Sequence, residues 1–189
     1  MPVTKNYKLW IAMLTSSINY FTDYSAPFIF KNTSGGSAYV RMPAAMGYNG
    51  SFMPYDVESS TATTLYIGSG DTPATENDYT MAANIASGYL KTQATIVPQN
   101  NKCDGKVLSY GEDDNGIYVK ILITGKNTDS SDMEIKEVGI GKIFICSGNQ
   151  SGGGSQNNHT CLLYREVLPT PVVVAPGSTY EIIVRFNVS

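Results

Sequence analysis

Tyr180-Glu181-Ile182-Ile183-Val184-Arg185-Phe186-Asn187-Val188 is the stretch that decides the fold class. Tyr180, Ile182, Val184, Phe186 and Val188 fall on one side of an extended chain and Glu181, Arg185 and Asn187 on the other, the period-2 alternation of a strand with one face in a core and one in water. Just before it, Ala175-Pro176-Gly177-Ser178 puts Pro then Gly at the centre of a type II turn. Pro169 and Pro171 cannot donate to a ladder, so that link belongs at a sheet edge. Further out, Ile117, Val119, Ile121 and Ile123 mark a second strand whose other face carries Tyr118, Lys120 and Thr124, and Leu90, Thr92, Ala94 and Ile96 alternate with Lys91, Gln93 and Thr95. Shorter β-like runs are Thr64–Ile67, Lys106–Tyr110, Ile135–Val138, Ile143–Cys146, Leu162–Leu168 and Val172–Val174. Asp114-Asn115-Gly116 reads as a hairpin, with Asn-Gly in a type I′ turn. Ser147 to Thr160, with Gly152-Gly153-Gly154 amid Asn, Gln and Ser, reads as a flexible polar excursion. Short strands punctuated by turns, without alternating helices, predict a mainly β chain built as an antiparallel sandwich.

The other end of the sequence has a different period. Tyr7, Trp10, Ile11, Leu14 and Ile18 recur at helical spacing, with Thr4 as N-cap and Lys5, Asn6, Lys8, Thr15 and Ser16 on the polar side. Two readings are open: a helix packed on its own domain, or an arm that docks on a neighbouring subunit. Tyr20, Phe21 and Tyr24 follow closely and, with the helix face, form the expected subunit interface. Residues 19–60 are aromatic and Gly/Ser/Pro-rich, and read as irregular connections with short strands. The expected division is therefore 1–60, helix and docking arm, and 61–189, the β-sandwich domain.

Lys and Arg number 13 against 16 Asp and Glu in 189 residues, a net charge of 13 − 16 = −3. This mild acidic excess, with no basic run, removes the electrostatic basis for binding nucleic acid or an anionic membrane. The run Leu9 to Leu14 is too short for a secretory core, which needs about 7–15 apolar residues and a cleavage site. A membrane span needs about 20 apolar residues, which no stretch approaches. Sequons at Asn32, Asn49, Asn149, Asn158 and Asn187 then reflect an Asn/Ser/Thr-rich composition. Cys103, Cys146 and Cys161 are expected as thiols, with a Cys146–Cys161 disulfide as the alternative if flanking strands bring them opposite one another.

His159, the one histidine, falls in the glycine-rich stretch, where nothing would aim its ring. With Cys146 and Cys161 it supplies three zinc ligands where a structural site needs four. Glu112 to Gly116 departs from a calcium loop at Gly111 and Leu122. Gly68-Ser69-Gly70 lacks the later glycine of a dinucleotide fingerprint and the Lys of a phosphate loop. No catalytic residue, metal or cofactor is expected, and the chain is expected not to be an enzyme.

Four ordered motifs carry a resemblance: Ile67-Gly68-Ser69-Gly70-Asp71-Thr72-Pro73 with Asp78-Tyr79, then Glu137-Val138-Gly139-Ile140, then Leu162-Leu163-Tyr164-Arg165-Glu166-Val167-Leu168, then Pro171 to Gly177 and a terminal strand. From about residue 65 to 187 the chain resembles small virion proteins of tailed bacteriophages. The resemblance implies an Ig-like module repeated on a head, neck or tail. The fold expected is thus mainly β, an antiparallel sandwich of Ig-like or jelly-roll type with one N-terminal helix. The function expected is virion assembly or capsid decoration, in the virion after synthesis in the host cytoplasm, with copies of itself and other virion proteins as partners. The alternative is a host-surface carbohydrate-binding module of a phage tail, using aromatic residues and the 147–160 stretch on a host glycan.

Overall fold

The computed structural model describes residues 3–15, 28–40, 63–91, 96, 98, 100, 102–147 and 157–187. They form one short helix, α1 (Lys5–Thr15), and nine strands: β1 (Phe28–Lys31), β2 (Ser37–Val40), β3 (Thr63–Gly68), β4 (Asn84–Tyr89), β5 (Cys103–Asp113), β6 (Gly116–Lys126), β7 (Met133–Ser147), β8 (Asn157–Val174) and β9 (Thr179–Asn187). The protein is mainly β, and every pairing among these nine strands is antiparallel.

β7 organises a six-stranded sheet. One of its edges takes β3 along Glu137–Lys142 and then β2 at Cys146–Ser147, while its other edge takes β8. β4 continues from β3 and β1 from β2. The second sheet has the order β5-β6-β9. Leu65, Ile67, Val138 and Ile140 of the first sheet and Ile121, Ile123, Ile182, Val184 and Phe186 of the second belong to one hydrophobic cluster. Phe186 meets Tyr164 of β8 and Tyr7 of α1 edge-on, at ring-centroid distances of 4.9 and 5.5 Å. The Cys103 thiol donates to the carbonyls of Leu65 and Ala86 at 3.4 and 3.3 Å, tying β5 to the first sheet.

Helix α1 begins where Thr4 accepts from the Tyr7 and Lys8 amides on its carbonyl, with Tyr7 N 3.4 Å from its hydroxyl. The same hydroxyl donates to the Leu162 and Leu163 carbonyls. These are available because Leu163 is the extra residue of a bulge: Ile140 pairs with Tyr164 and Gly141 with Leu162. Asn6, expected on the polar side, is buried. Its amide accepts from Lys31 N at 3.0 Å and donates to Lys31 O at 2.7 Å, standing in for a missing neighbouring strand. Val3, Tyr7, Phe30 and Ala38 lie in the same core as β3 and β7, so the described part of the 1–60 segment contributes to the body of the 61–189 segment.

Several expectations change in detail. Ile135–Val138 and Ile143–Cys146 are one 15-residue strand, and Leu162–Leu168 and Val172–Val174 lie in one 18-residue strand. β8 stays continuous because β7 skips the prolines: Glu137 pairs with Val167 and Ile135 with Val172, leaving 168–171 outside the ladder. The expected strand Leu90–Ile96 falls largely outside the described residues, and the strand next to β3 is the preceding Asn84–Tyr89. The β5–β6 loop is Asp114-Asn115, not Asn115-Gly116: Asp113 pairs with Gly116, and Gly116 carries a positive φ of 93°. That is the place of a left-handed glycine following a type I turn. The type II turn at Pro176-Gly177 is as expected, with Ser178 N donating to Ala175 O at 3.1 Å and Gly177 at φ 72°.

A Cβ at Gly177 would meet nothing within 4 Å, so Gly177→Ala should cost only its left-handed strain, about 1 kcal/mol, read from urea midpoints. Lys142, on the core side of β7, has its pKa pushed down to about 8 by burial. Because the unfolded lysine titrates near 10.4, the unfolded chain binds more protons between those values and stability gains as pH rises through the window. Relative to Lys142→Met, the natural protein should gain on the order of 1–3 kcal/mol from pH 7.5 to 10.5. A pH-independent difference would show that Lys142 remains solvated.

Candidate functional site

On β7, Val138 and Ile140 point into the core, so Glu137 and Gly139 point to the opposite face of the first sheet. There Glu137 meets Arg165 of β8, the two side chains being 0% and 2% exposed. Arg165 Nε donates to Glu137 Oε2 at 2.6 Å, Nη1 to Asp78 Oδ2 at 2.8 Å and Nη2 to the Thr72 carbonyl at 2.8 Å. Glu137 also accepts from the backbone N–H groups of Gly70, Ala82 and Ala83. The segment 69–83 is thereby drawn across the sheet face. A Cβ on Gly68 would collide with Glu137 and the Ala83 carbonyl, and one on Gly139 would come within 2.5 Å of Met81 Sδ, so bare backbone is what lets the segment lie this close.

Asp78 is also fixed within that segment, accepting from Thr75 N and Oγ1 at 2.9 Å each. Partial burial alone would raise its pKa, but the Thr75 and Arg165 hydrogen bonds and the Arg165 charge outweigh burial and hold it below the usual carboxylate range. Its contribution to stability is present above about pH 4 and is lost as pH falls through the lowered pKa. The Arg165 side chain is engaged on all three of its nitrogens by this network, so its function is to hold the segment in place.

Beside it a cleft of about 320 Å³ opens between α1, β1 and residues 76–79, lined by Lys5, Asn6, Phe30, Lys31, Asp78 and Tyr79 among others. Lys31 Nζ lies 3.8 Å from the centre of the Tyr79 ring. Lys8 and Glu76 form an ion pair nearby that holds the Glu76 carboxyl below its ordinary pKa.

Of the expected interface residues, Tyr7 is 4% exposed and packed on Phe186, and Ile11 is half-buried against the core. The Tyr7 ring therefore serves its own domain rather than an external surface. Trp10 and Leu14 lie in α1, but their side chains, and Ile18, Tyr20, Phe21 and Tyr24 altogether, lie outside the described residues. The register separates the two expected disulfide partners. Cys161 faces Lys142 and Cys146 faces Asn157, four positions along β8. At roughly 3.3 Å per residue that is about 13 Å, beyond the roughly 7 Å a disulfide allows. His159 lies in β8 rather than in a loop, its Nδ1 3.2 Å from Asn32 Nδ2. Asn32 Oδ1 accepts from Ser34 and Gly36 N–H, so the His159 Nδ1 is the acceptor. Among the described residues no group of three or more His, Cys, Asp or Glu side chains is placed to hold a metal ion. No helix among them is long and apolar enough to cross a membrane.

The ion network was missed in the sequence, although each member sat in a motif. The sequence carried little signal for it: Glu137 follows Lys136 directly and Arg165 precedes Glu166, so each reads as one of a pair of neighbouring charges and not as a charge bound for the interior. Compared with known protein families, curated proteins and solved structures, the chain matches none of them.

Arg165→Ala should destabilise the protein by about 3–5 kcal/mol, because it leaves Glu137 buried without its counter-charge. Glu137→Gln should cost a similar amount, since the amide NH2 would face either Gly70 and Ala83 N–H or Ala82 N–H and Arg165 Nε, setting donor against donor in a buried site while leaving Arg165 short of a counter-charge. Denaturant titration gives both values, and in the Arg165 variant limited proteolysis should cut first within 69–83. A loss below about 1 kcal/mol for Arg165→Ala would mean that other contacts hold the segment.

Proposed function

We propose that this chain is a structural subunit of a tailed-bacteriophage virion, assembling on the head, neck or tail through contacts with copies of itself and with other virion proteins, and that it is not an enzyme. The observation that carries the reading is the Arg165 network. It draws Thr72 and Asp78 of the first motif, Glu137 of the second and Arg165 of the third into one internal clamp. Motif residues engaged with one another in this way preserve a scaffold, and a scaffold that presents surfaces in many copies is what an assembly subunit supplies. The shared core of the two sheets supports a β-sandwich of Ig-like or jelly-roll type. On this reading the chain is made in the host cytoplasm and ends in the particle, with no role in binding nucleic acid or membrane.

The cleft beside Tyr79 favours a second reading, a host-surface carbohydrate-binding module. An aromatic ring flanked by Asn6, Lys5 and Asp78 offers the mixture of apolar face and polar groups that sugars use.

Mass spectrometry and averaged reconstruction of purified particles test the first reading. The expected result is density for a 20.4 kDa subunit in symmetry-related copies. Absence of the chain from purified particles would overturn it. A glycan array with natural protein and Tyr79→Ala tests the second: binding that the substitution abolishes would establish it, and no binding would remove it.

A further inference from the structure

Exposed sheet edges invite pairing with another chain, and proteins usually guard them with bulges, prolines, glycines or short strands. Most of the edges here are guarded. β5 carries a bulge at Leu108, β8 carries bulges and the Pro169 and Pro171 stretch, β4 has a register shift and Gly88, and β1 has four residues. β9 is the exception among the described strands. It pairs with β6 through nine consecutive residues without a register shift, contains neither Pro nor Gly, and pairs with β6 on one side only. At its centre Ile183 is 64% exposed on the outer face.

The sequence around Ile183 is self-complementary. An antiparallel pairing of two β9 strands about a two-fold axis through Ile183 sets Ile183 against Ile183, Glu181 against Arg185 and Arg185 against Glu181. We propose that β9 is a homodimerisation edge, joining two copies into a continuous six-stranded sheet in the order β5-β6-β9-β9-β6-β5. On the outer face Leu122, the β6 partner of Ile183, extends the apolar strip across the joint. In the single subunit the Arg185 guanidinium leans over β6 toward β5, and it swings outward to meet Glu181 of a second copy. It stacks 4.2 Å from the Tyr118 ring centre, and Asp113 takes Nη1 and Nη2 at 2.7 Å each while Nε donates to Asn187. Three of its five N–H groups are used, leaving donors for the carboxylate of a second copy. The contact is isologous and closes on itself, so it yields a dimer and not a fibre.

This inference deepens the assembly reading, since it names one of the contacts that reading requires. The test uses the full chain and sedimentation equilibrium over a concentration series. The natural protein should dimerise. Glu181→Arg alone and Arg185→Glu alone each set like charges opposite one another at two positions, and should weaken the dimer by about tenfold or more. Mixing the two variants restores opposite charges at both positions and should restore the dimer. Ile183→Lys should also give monomers, with thermal melts checking that each variant is folded. A monomeric natural protein, or a dimer indifferent to Glu181→Arg, overturns the inference, as does failure of the mixture to recover association. If the edge fails while the chain is still found in particles, the assembly reading stands without it. A dimer from a chain absent from particles would sustain the edge and defeat that reading.

Discussion

A salt bridge with neither partner exposed, Arg165 to Glu137, sets the terms for much of this structure. Taking both charges out of water costs several kcal/mol per ion, and mutual attraction offsets that only when the remaining donors and acceptors are also satisfied. The satisfaction comes from residues 70–83, through three backbone N–H groups on Glu137 and the Thr72 carbonyl and Asp78 carboxylate on Arg165. Neither half is stable alone. Without the segment the pair would be under-bonded, and without the pair a stretch with few buried apolar side chains would have little to hold it down. Met81, buried over Gly139, supplies much of the apolar contact on that side.

The amino-terminal stretch is held by a related device at the edge of β8 that β7 leaves free. One extra residue, Leu163, opens the ladder and frees carbonyls that Thr4 and Asn6 then occupy. A bulge re-aims a strand locally, and here it turns a would-be open edge into a socket for the start of α1. Tyr7, one turn further on, reaches Phe186 in the other sheet. A helix of 11 residues, marginal by itself in water, is therefore fixed at its first turn by tertiary contacts.

What was legible in the sequence follows from how locally each feature is encoded. β9, β6 and the Pro176-Gly177 turn were readable because alternation and turn chemistry are properties of neighbouring residues. β4 was hard to read because Asn84-Ile85-Ala86-Ser87-Gly88-Tyr89 has only two buried positions and takes its place from pairing with β3. The continuity of β8 through Pro169 and Pro171 was hidden for the same reason, since it depends on β7 leaving four residues unpaired. The site was legible only as separate motifs: nothing within either motif indicates that Glu137 and Arg165, 28 positions apart, share a sheet face. Tyr7 was placed correctly on an apolar helix face, but periodicity cannot say whether such a face meets its own core or another molecule.

The first sheet buries two basic side chains, and what burial does to each explains why the clamp is an arginine. Lys142, on the core side of β7, has its pKa lowered to about 8 by burial. Burial alone would lower that of Arg165 too, but two carboxylates outweigh burial and the guanidinium stays charged. A lysine at position 165 would be a point charge, unable to meet Glu137, Asp78 and the Thr72 carbonyl in three fixed directions at once. The planar fork spans all three without bending, and it remains protonated at any pH the folded chain survives. The geometry of the clamp is thus insensitive to pH from the cationic side. Its response to acid runs through Asp78, the carboxylate nearer to solvent, whose pKa the Thr75 and Arg165 contacts hold down.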